Sequence, residues 1–204
     1  MNEIAVNLVY EDPLSGAVLY RLLRHSHKKY APGIAHSSGG IVWIRSRIQN
    51  FNRAARGMPY LVLTDLDVTE CAPRLLQEWL PHGRHRNLLL RVAVREVEAW
   101  LLGCREALAK FLSVDPNLIP FDVDDIPDPK AFLVNLARRS RKKSVRQDIV
   151  PETGSTARVG PDYNGRLSQF VSEMWDPVAA GLASPSLSRT IRALDAFEPV
   201  IEEE

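Results

Sequence analysis

Three short apolar, β-branched runs, each followed by a stretch of helical periodicity, constrain this chain most. They are residues 3–10 (EIAVNLVY), 60–65 (YLVLTD) and 88–94 (LLLRVAV). Apolar-rich runs of this length suit strands covered on both faces. After the first, Pro13 opens a helix with Asp12 as a candidate N-cap, and Leu14, Ala17, Val18, Leu22 and Leu23 recur at helical spacing. Gly39-Gly40 precedes a second helix, around 41–56, which Gly57 and Pro59 end. A third follows near 72–80. The clearest helix runs from 97 to 112, with Val97, Trp100, Leu101, Cys104, Leu108, Phe111 and Leu112 on one stripe. A further short strand is expected near 33–36. Strands alternating with helices need crossover connections, so the fold expected over 1–112 is α/β, a three-layer Rossmann-like unit with a mainly parallel sheet.

Residues 113–128 read as a Pro- and Asp-rich connector, and 129–204 as a helical C-terminal region packed on the first unit, with helices at 129–143, 162–174 and 186–197. The loop VPETGSTARVGPDYNG is long enough to be functional or mobile. A chain of 204 residues is one domain, or one with a helical extension, and needs no disulfide or zinc to fold. Glu3 and Asn7 spoil a secretory signal, and no stretch approaches the ~18 apolar residues of a membrane span, so the expected setting is cytoplasmic, with no membrane partner. Cys71 and Cys104 lack CxxC spacing and read as reduced, buried-type side chains. No HExxH occurs, and His25, His27, His82 and His85 sit in polar, basic surroundings that do not suggest zinc. There is no P-loop for a nucleotide.

Ligands of parallel α/β sheets bind beyond the carboxyl ends of the strands. Each confident strand here ends in acid. The first runs into Glu11-Asp12, the second into Asp65-Leu66-Asp67 with Glu70 just after, and the third is followed by Glu96 and Glu98. Singly, each has an ordinary reading as a helix cap, a turn residue or a first-turn acid. Together they converge on one edge. Two carboxylates ~5 Å apart repel by about 3 kcal/mol at an effective dielectric of ~20. Four, with no lysine or arginine at the strand tips, call for a cation or shared protons. Oxygen-only ligands suit Mg²⁺ or Mn²⁺. If 96 and 98 are both helical they lie ~200° apart and only one faces the site, Glu98 slightly ahead of Glu96. If the strand continues through 98, both do.

A glutamate after the first strand and a D-x-D after a later one resemble the Toprim domain of topoisomerases, primases and OLD-type nucleases. The matching positions are Glu11, Asp65 and Asp67, and Glu98 or Glu96 is similar to the extra metal ligand of OLD-like members. Val97-Glu98-Ala99-Trp100-Leu101-Leu102 looks like the small stand-alone Toprim-like bacterial proteins of unknown function, which often accompany ATPases or phage-defence genes. One departure is Asp12, where many Toprim sequences have glycine. The resemblance implies Mg²⁺- or Mn²⁺-dependent phosphodiester hydrolysis on nucleic acid, DNA ahead of RNA, in phage defence or DNA repair. Asp65 and Asp67 would hold metal, Glu11 would be a ligand or general acid/base, and Glu98 or Glu96 would complete a second metal position. The alternative is a non-catalytic accessory subunit of an ATPase-containing complex. A phosphatase or nucleotide hydrolase on the same acids is a third reading.

A basic run stands apart. Arg138, Arg139, Arg141, Lys142, Lys143 and Arg146 fall within nine positions. They read either as a solvated helix end or as a groove for a phosphate backbone, which Arg158, Arg166 and Arg189 would extend. The overall charge of +1 excludes a polycation but not such a patch. Lys130, at a helix start where a cation opposes the dipole, is a candidate for the same binding role. Tyr163 reads as structural rather than as a nucleophile, and Trp43, Trp79, Trp100 and Trp175 as core.

Overall fold

A computed structural model describes residues 3–37 and 39–200. The first two and last four residues of the segments assigned to 1–112 and 129–204, and Ser38, lie outside the described residues. Four strands, β1 (Ile4–Val9), β2 (Tyr30–His36), β3 (Tyr60–Asp65) and β4 (Leu88–Ala93), form one all-parallel sheet in the order β2-β1-β3-β4. Helices α1 (Pro13–His25), α2 (Gly40–Ala54) and α3 (Ala72–Trp79) supply the crossovers. The expected α/β three-layer architecture is what the chain adopts.

The strands' period of two sorts the core into two halves. Val9, Val62, Leu90 and Val92 pack against Ile44, Ile48 and Phe51 of α2 and Leu75 and Trp79 of α3. Val6, Leu8, Leu61, Leu63, Leu89 and Ala93 face the opposite way, onto α1 and the C-terminal helices. Asp65, two residues beyond Leu63, keeps that phase, so its carboxylate is delivered to the C-terminal helical layer.

That layer comprises α4 (Val97–Leu102), α5 (Arg105–Leu112), α6 (Pro129–Arg138), α7 (Lys143–Ile149), α8 (Tyr163–Glu173), α9 (Pro177–Gly181) and α10 (Pro185–Ala196). The single helix expected over 97–112 is broken at Gly103. There the chain backs onto α9 so closely that a Cβ would stand 2.6 Å from the Ala180 carbonyl oxygen. The helix expected over 129–143 likewise stops at Arg138, and a buried turn at Ser140 separates it from α7. The connector forms two 3-10 turns, Pro116–Leu118 and Val123–Asp125. α1 lies against α8, and α10 against β4 and α9.

Buried Trp100 and Trp175 are both satisfied, Trp100 Nε1 donating to Ser186 Oγ at 2.7 Å and Trp175 Nε1 to the Trp100 carbonyl at 3.1 Å. Trp79 is buried and Trp43 half-buried. Cys104 is buried as expected, but Cys71 is exposed, because it precedes α3 at the surface. Among the described residues no helix is long and apolar enough to cross a membrane.

Candidate metal centre

β1 is flanked by β2 on one side and β3 on the other, so the chain leaves β1 and β3 in opposite directions and opens a crevice at their carboxyl ends. Glu11 and Asp65 stand on either side of it. Glu11 Oε1 accepts from Thr64 Oγ1 at 2.6 Å and from the Asp65 N–H at 2.9 Å, tying the exit of β1 to the end of β3. Asp12 turns away to cap α1, accepting from the Ser15 N–H at 2.8 Å.

Three carboxylates then meet. Asp65 Oδ1 accepts from the Val97 N–H, the first of α4, at 2.9 Å. Glu96 Oε2 accepts from the Lys130 N–H in the first turn of α6 at 2.8 Å. Glu98 Oε1 accepts from the Tyr163 hydroxyl, at the start of α8, at 2.9 Å. One oxygen from each of Asp65, Glu96 and Glu98 lies within 4.8 Å of the others, and all three side chains are buried. Both Glu96 and Glu98 face the site. The 200° separation would apply only within a helix, and Glu96 is the extended N-cap residue of α4 (φ −137°, ψ 160°), so the chain turns between the two.

The expectation that no cation stands at the strand tips fails. Lys130 Nζ lies 3.4 Å from Glu96 Oε1 and 3.5 Å from Glu98 Oε1. Lys130 therefore belongs to the acid cluster and not to the basic run. Arg95, at the exit of β4 beside the cis Val94–Arg95 peptide, donates through Nη1 to the carbonyls of Asp67 (3.3 Å) and Thr69 (2.8 Å). Even with Lys130, three acids face one ammonium. Burial, followed by the charges of Glu98 and Glu11, holds the Asp65 carboxyl well above its usual range. Burial pushes Glu98 up to about 7 against the pull of Lys130. Glu11 is raised too, chiefly by burial. Burial works to lower Lys130, but Glu98, Glu96 and Asp65 outweigh it and keep the ammonium charged. Burial and then Glu98 raise Tyr163, so it stays a neutral phenol able to donate.

Glu98 Oε2 has no hydrogen-bond partner although it is buried. A buried acceptor without a donor is rare and costs about 1–3 kcal/mol. Among the described residues it is the one fully buried oxygen of the cluster without a hydrogen-bond partner. The three side chains offer hard carboxylate oxygens, and together they could hold a metal ion. The other two predicted ligands lie outside the focus. Glu11 braces β1 against β3. Asp67, in a left-handed turn at φ 47°, lines a cleft of about 320 Å³ that also runs past Val68, Arg95, Glu96, Asp128 and Arg158. That cleft reaches the cluster through Glu96, with two arginines on its walls.

The basic run is elsewhere. Arg138, Arg139, Arg141, Lys142 and Lys143 are exposed around the α6–α7 turn, while Arg146 is half-buried and donates to the Ser140 carbonyl. Arg138, Lys143 and Arg146 line a groove of about 600 Å³ together with Asp148 and Glu152. Arg138 lies eight positions beyond Lys130, so the run begins ~12 Å from Lys130 along α6. Arg158 and Arg166 do not extend it as free charges, since they pair with Asp128 (3.0 Å) and Asp148. Arg189 sits on α10. Tyr163 is the site residue that spacing did not reveal, because its partner lies 65 positions away. The chain matches no protein-family model, no curated protein and no solved structure.

Proposed function

We propose that this protein is a divalent-cation-dependent phosphodiesterase acting on nucleic acid, with Asp65, Glu96 and Glu98 as the cation ligands. The observation that carries this reading is the convergence of three buried carboxylates, one with an unpartnered oxygen, at the switch point of a parallel sheet. The parallel sheet and the acids at the ends of β1 and β3 are what this reading shares with the Toprim resemblance, although Glu11 and Asp67 stand outside the focus. A bound Mg²⁺ or Mn²⁺ would neutralise the carboxylates and polarise a phosphoryl oxygen. The remaining work falls to the chain's own groups. Tyr163 and the start of α4 hold Glu98 and Asp65 in place. Arg95 and Arg158 border the cleft through which a phosphate approaches. Lys130, released from Glu96 and Glu98 when their charge is taken up, would meet negative charge on the phosphoryl group. A strand lying along α6 would reach the basic run after about three to four nucleotides at ~3.4 Å each.

Incubation with plasmid, single-stranded DNA and RNA in Mn²⁺, beside Asp65→Asn, tests this. Cleavage by the wild type alone is expected. Equal activity or equal inertness of the two proteins would refute it.

One observation favours a second reading. Lys130 already stands where a cation would, and Asp65 and Glu96 are already engaged by helix N-termini. In that reading the cluster is a structural ion-pair core of a non-catalytic accessory subunit, such as one serving an ATPase complex. Stable co-purification with an ATPase, together with inertness in the same assay, would support it.

A further inference from the structure

One wall of the cleft beside the acid cluster is built with more care than the cluster requires. It is the turn Asp67-Val68-Thr69, between β3 and α3, and Arg95 holds it with four hydrogen bonds. The Arg95 carbonyl accepts from the N–H groups of Leu66 (3.0 Å) and Asp67 (3.1 Å), and Arg95 Nη1 donates to the carbonyls of Asp67 (3.3 Å) and Thr69 (2.8 Å). Asp67 makes the bend in a left-handed conformation, φ 47°, which is unfavourable for a residue with a Cβ. What this pinned turn presents is Val68, an apolar side chain left 99% exposed. The protein's own core gains nothing from that side chain.

The rest of the cleft supplies complementary chemistry. Pro127, exposed and from the connector, gives it a second apolar surface. Arg95 and Arg158 give it two cations, and Glu96 joins it to the acid cluster. Arg95 uses only Nη1, and Arg158 only Nη2 towards Asp128, so both guanidinium groups keep donors without a partner among the described residues. The volume of about 320 Å³ lies at the lower end of the ~300–1,000 Å³ that small ligands occupy. It equals a cube ~7 Å on a side, whereas a duplex is wider than its ~12 Å major groove.

We propose that this cleft is a subsite for one unpaired nucleotide, its phosphate between Arg95 and Arg158 and its base against Val68 and Pro127, so that the substrate is a single strand and not intact duplex. The subsite rests on the nucleic-acid reading and narrows it. A guanidinium fork matches two phosphate oxygens at once. Arg158 reaches the phosphate by leaving Asp128, and that ion pair is solvent-exposed and weak. Apolar side chains, valine and proline included, support a base that has left its stack. A duplex must unpair and unstack a nucleotide to fill the cleft, and a single strand need not.

The test is fluorescence anisotropy of a labelled oligodeoxynucleotide, alone and annealed to its complement, with the full chain free of divalent metal. The single strand should bind roughly tenfold more tightly than the duplex. Val68→Ser, which alters only an exposed side chain, should weaken single-strand binding about fivefold and leave the log–log salt slope unchanged, because an apolar contact is lost. Arg158→Gln should flatten that slope by about 0.7, because a phosphate contact is lost. In Mn²⁺ the single strand should be cut and the duplex spared, with KM raised and kcat kept in Val68→Ser. Equal affinity for the two forms, or single-strand binding by Val68→Ser that matches the wild type, would overturn the subsite even where cleavage is seen. Inertness in Mn²⁺ beside an intact strand preference that Val68→Ser removes would refute the phosphodiesterase reading and support the subsite.

Discussion

Glu98 carries more of the account than any other residue, and its environment fixes the sign of a pH effect. Its folded-state pKa is about 7 against an ordinary value of 4.5, with burial as the main cause. Below ~4.5 both states hold the proton and the group contributes nothing. Between ~4.5 and ~7 only the folded state holds it, so stability falls as pH rises, by about 3 kcal/mol in all, and is flat above. Asp65 shifts in the same direction and adds to the fall. Glu98→Gln should therefore be more stable than the wild type at pH 8 and no more stable at pH 4, measured by urea unfolding. An unchanged pH slope would contradict the assignment. Lys130→Met should do the opposite, losing about 3–5 kcal/mol at pH 8 because three buried acids keep no counter-charge, with much of the loss recovered on adding Mn²⁺. Of these residues, Glu98 was legible as an acid after a strand, and Lys130 as a cation at the wrong end of a helix. Tyr163 was not legible, since nothing local marks a tyrosine whose partner is brought to it by packing.

At the scale of elements, the helix starts are written in a repeated form. Asp12-Pro13, Asp128-Pro129, Asp176-Pro177 and Ser184-Pro185 each place a capping oxygen before a proline, and in each the side chain accepts from a backbone N–H of the first turn. The cap of α6 matters twice, because the same turn presents Lys130 to Glu96. Asp128→Ala and Asp176→Ala should each cost about 1 kcal/mol of stability. Only the first should also weaken cation binding, and equal effects on binding would deny α6 its positioning role. Strands β1, β3 and β4 were readable as apolar runs. β2 was readable only in its second half, because Pro32 and Gly33 interrupt it and residues 32–35 are exposed. The polar Asn7 that seemed to break β1 is buried and mends an irregularity in the sheet, accepting from the Ile34 N–H at 2.8 Å where Gly33 leaves room for it. The helix breaks at Gly103 and Ser140 escaped detection because the apolar stripe continues through them. Both are set by a distant backbone, that of Ala180 for one and Leu112 for the other.

At the scale of the whole molecule, a charge of +1 conceals a segregated surface. Acids gather at the strand ends, and one basic run lies at the far end of α6. If the α6–α7 run binds a single-stranded backbone, Arg141→Gln/Lys142→Gln/Lys143→Gln should weaken oligonucleotide binding and flatten the log–log salt slope by about 0.7 per lost phosphate contact, read by fluorescence anisotropy. An unchanged slope would return the run to a solvated helix end. The fold class was legible because period and order determine it. The focus of the site was legible only in part. The D-x-D drew attention to Asp67, whereas the strand's phase and the helices of the C-terminal layer select Asp65, Glu96 and Glu98. The most direct measurement of the central claim is calorimetric titration of Mn²⁺ into the full chain, beside Glu98→Gln and Asp65→Asn. The account predicts saturable binding to the wild type, with about 2.7 kcal/mol of added stability at 100 times the Kd, and loss of both effects in the two variants. Absence of binding to the wild type, or equal binding by all three, would contradict it.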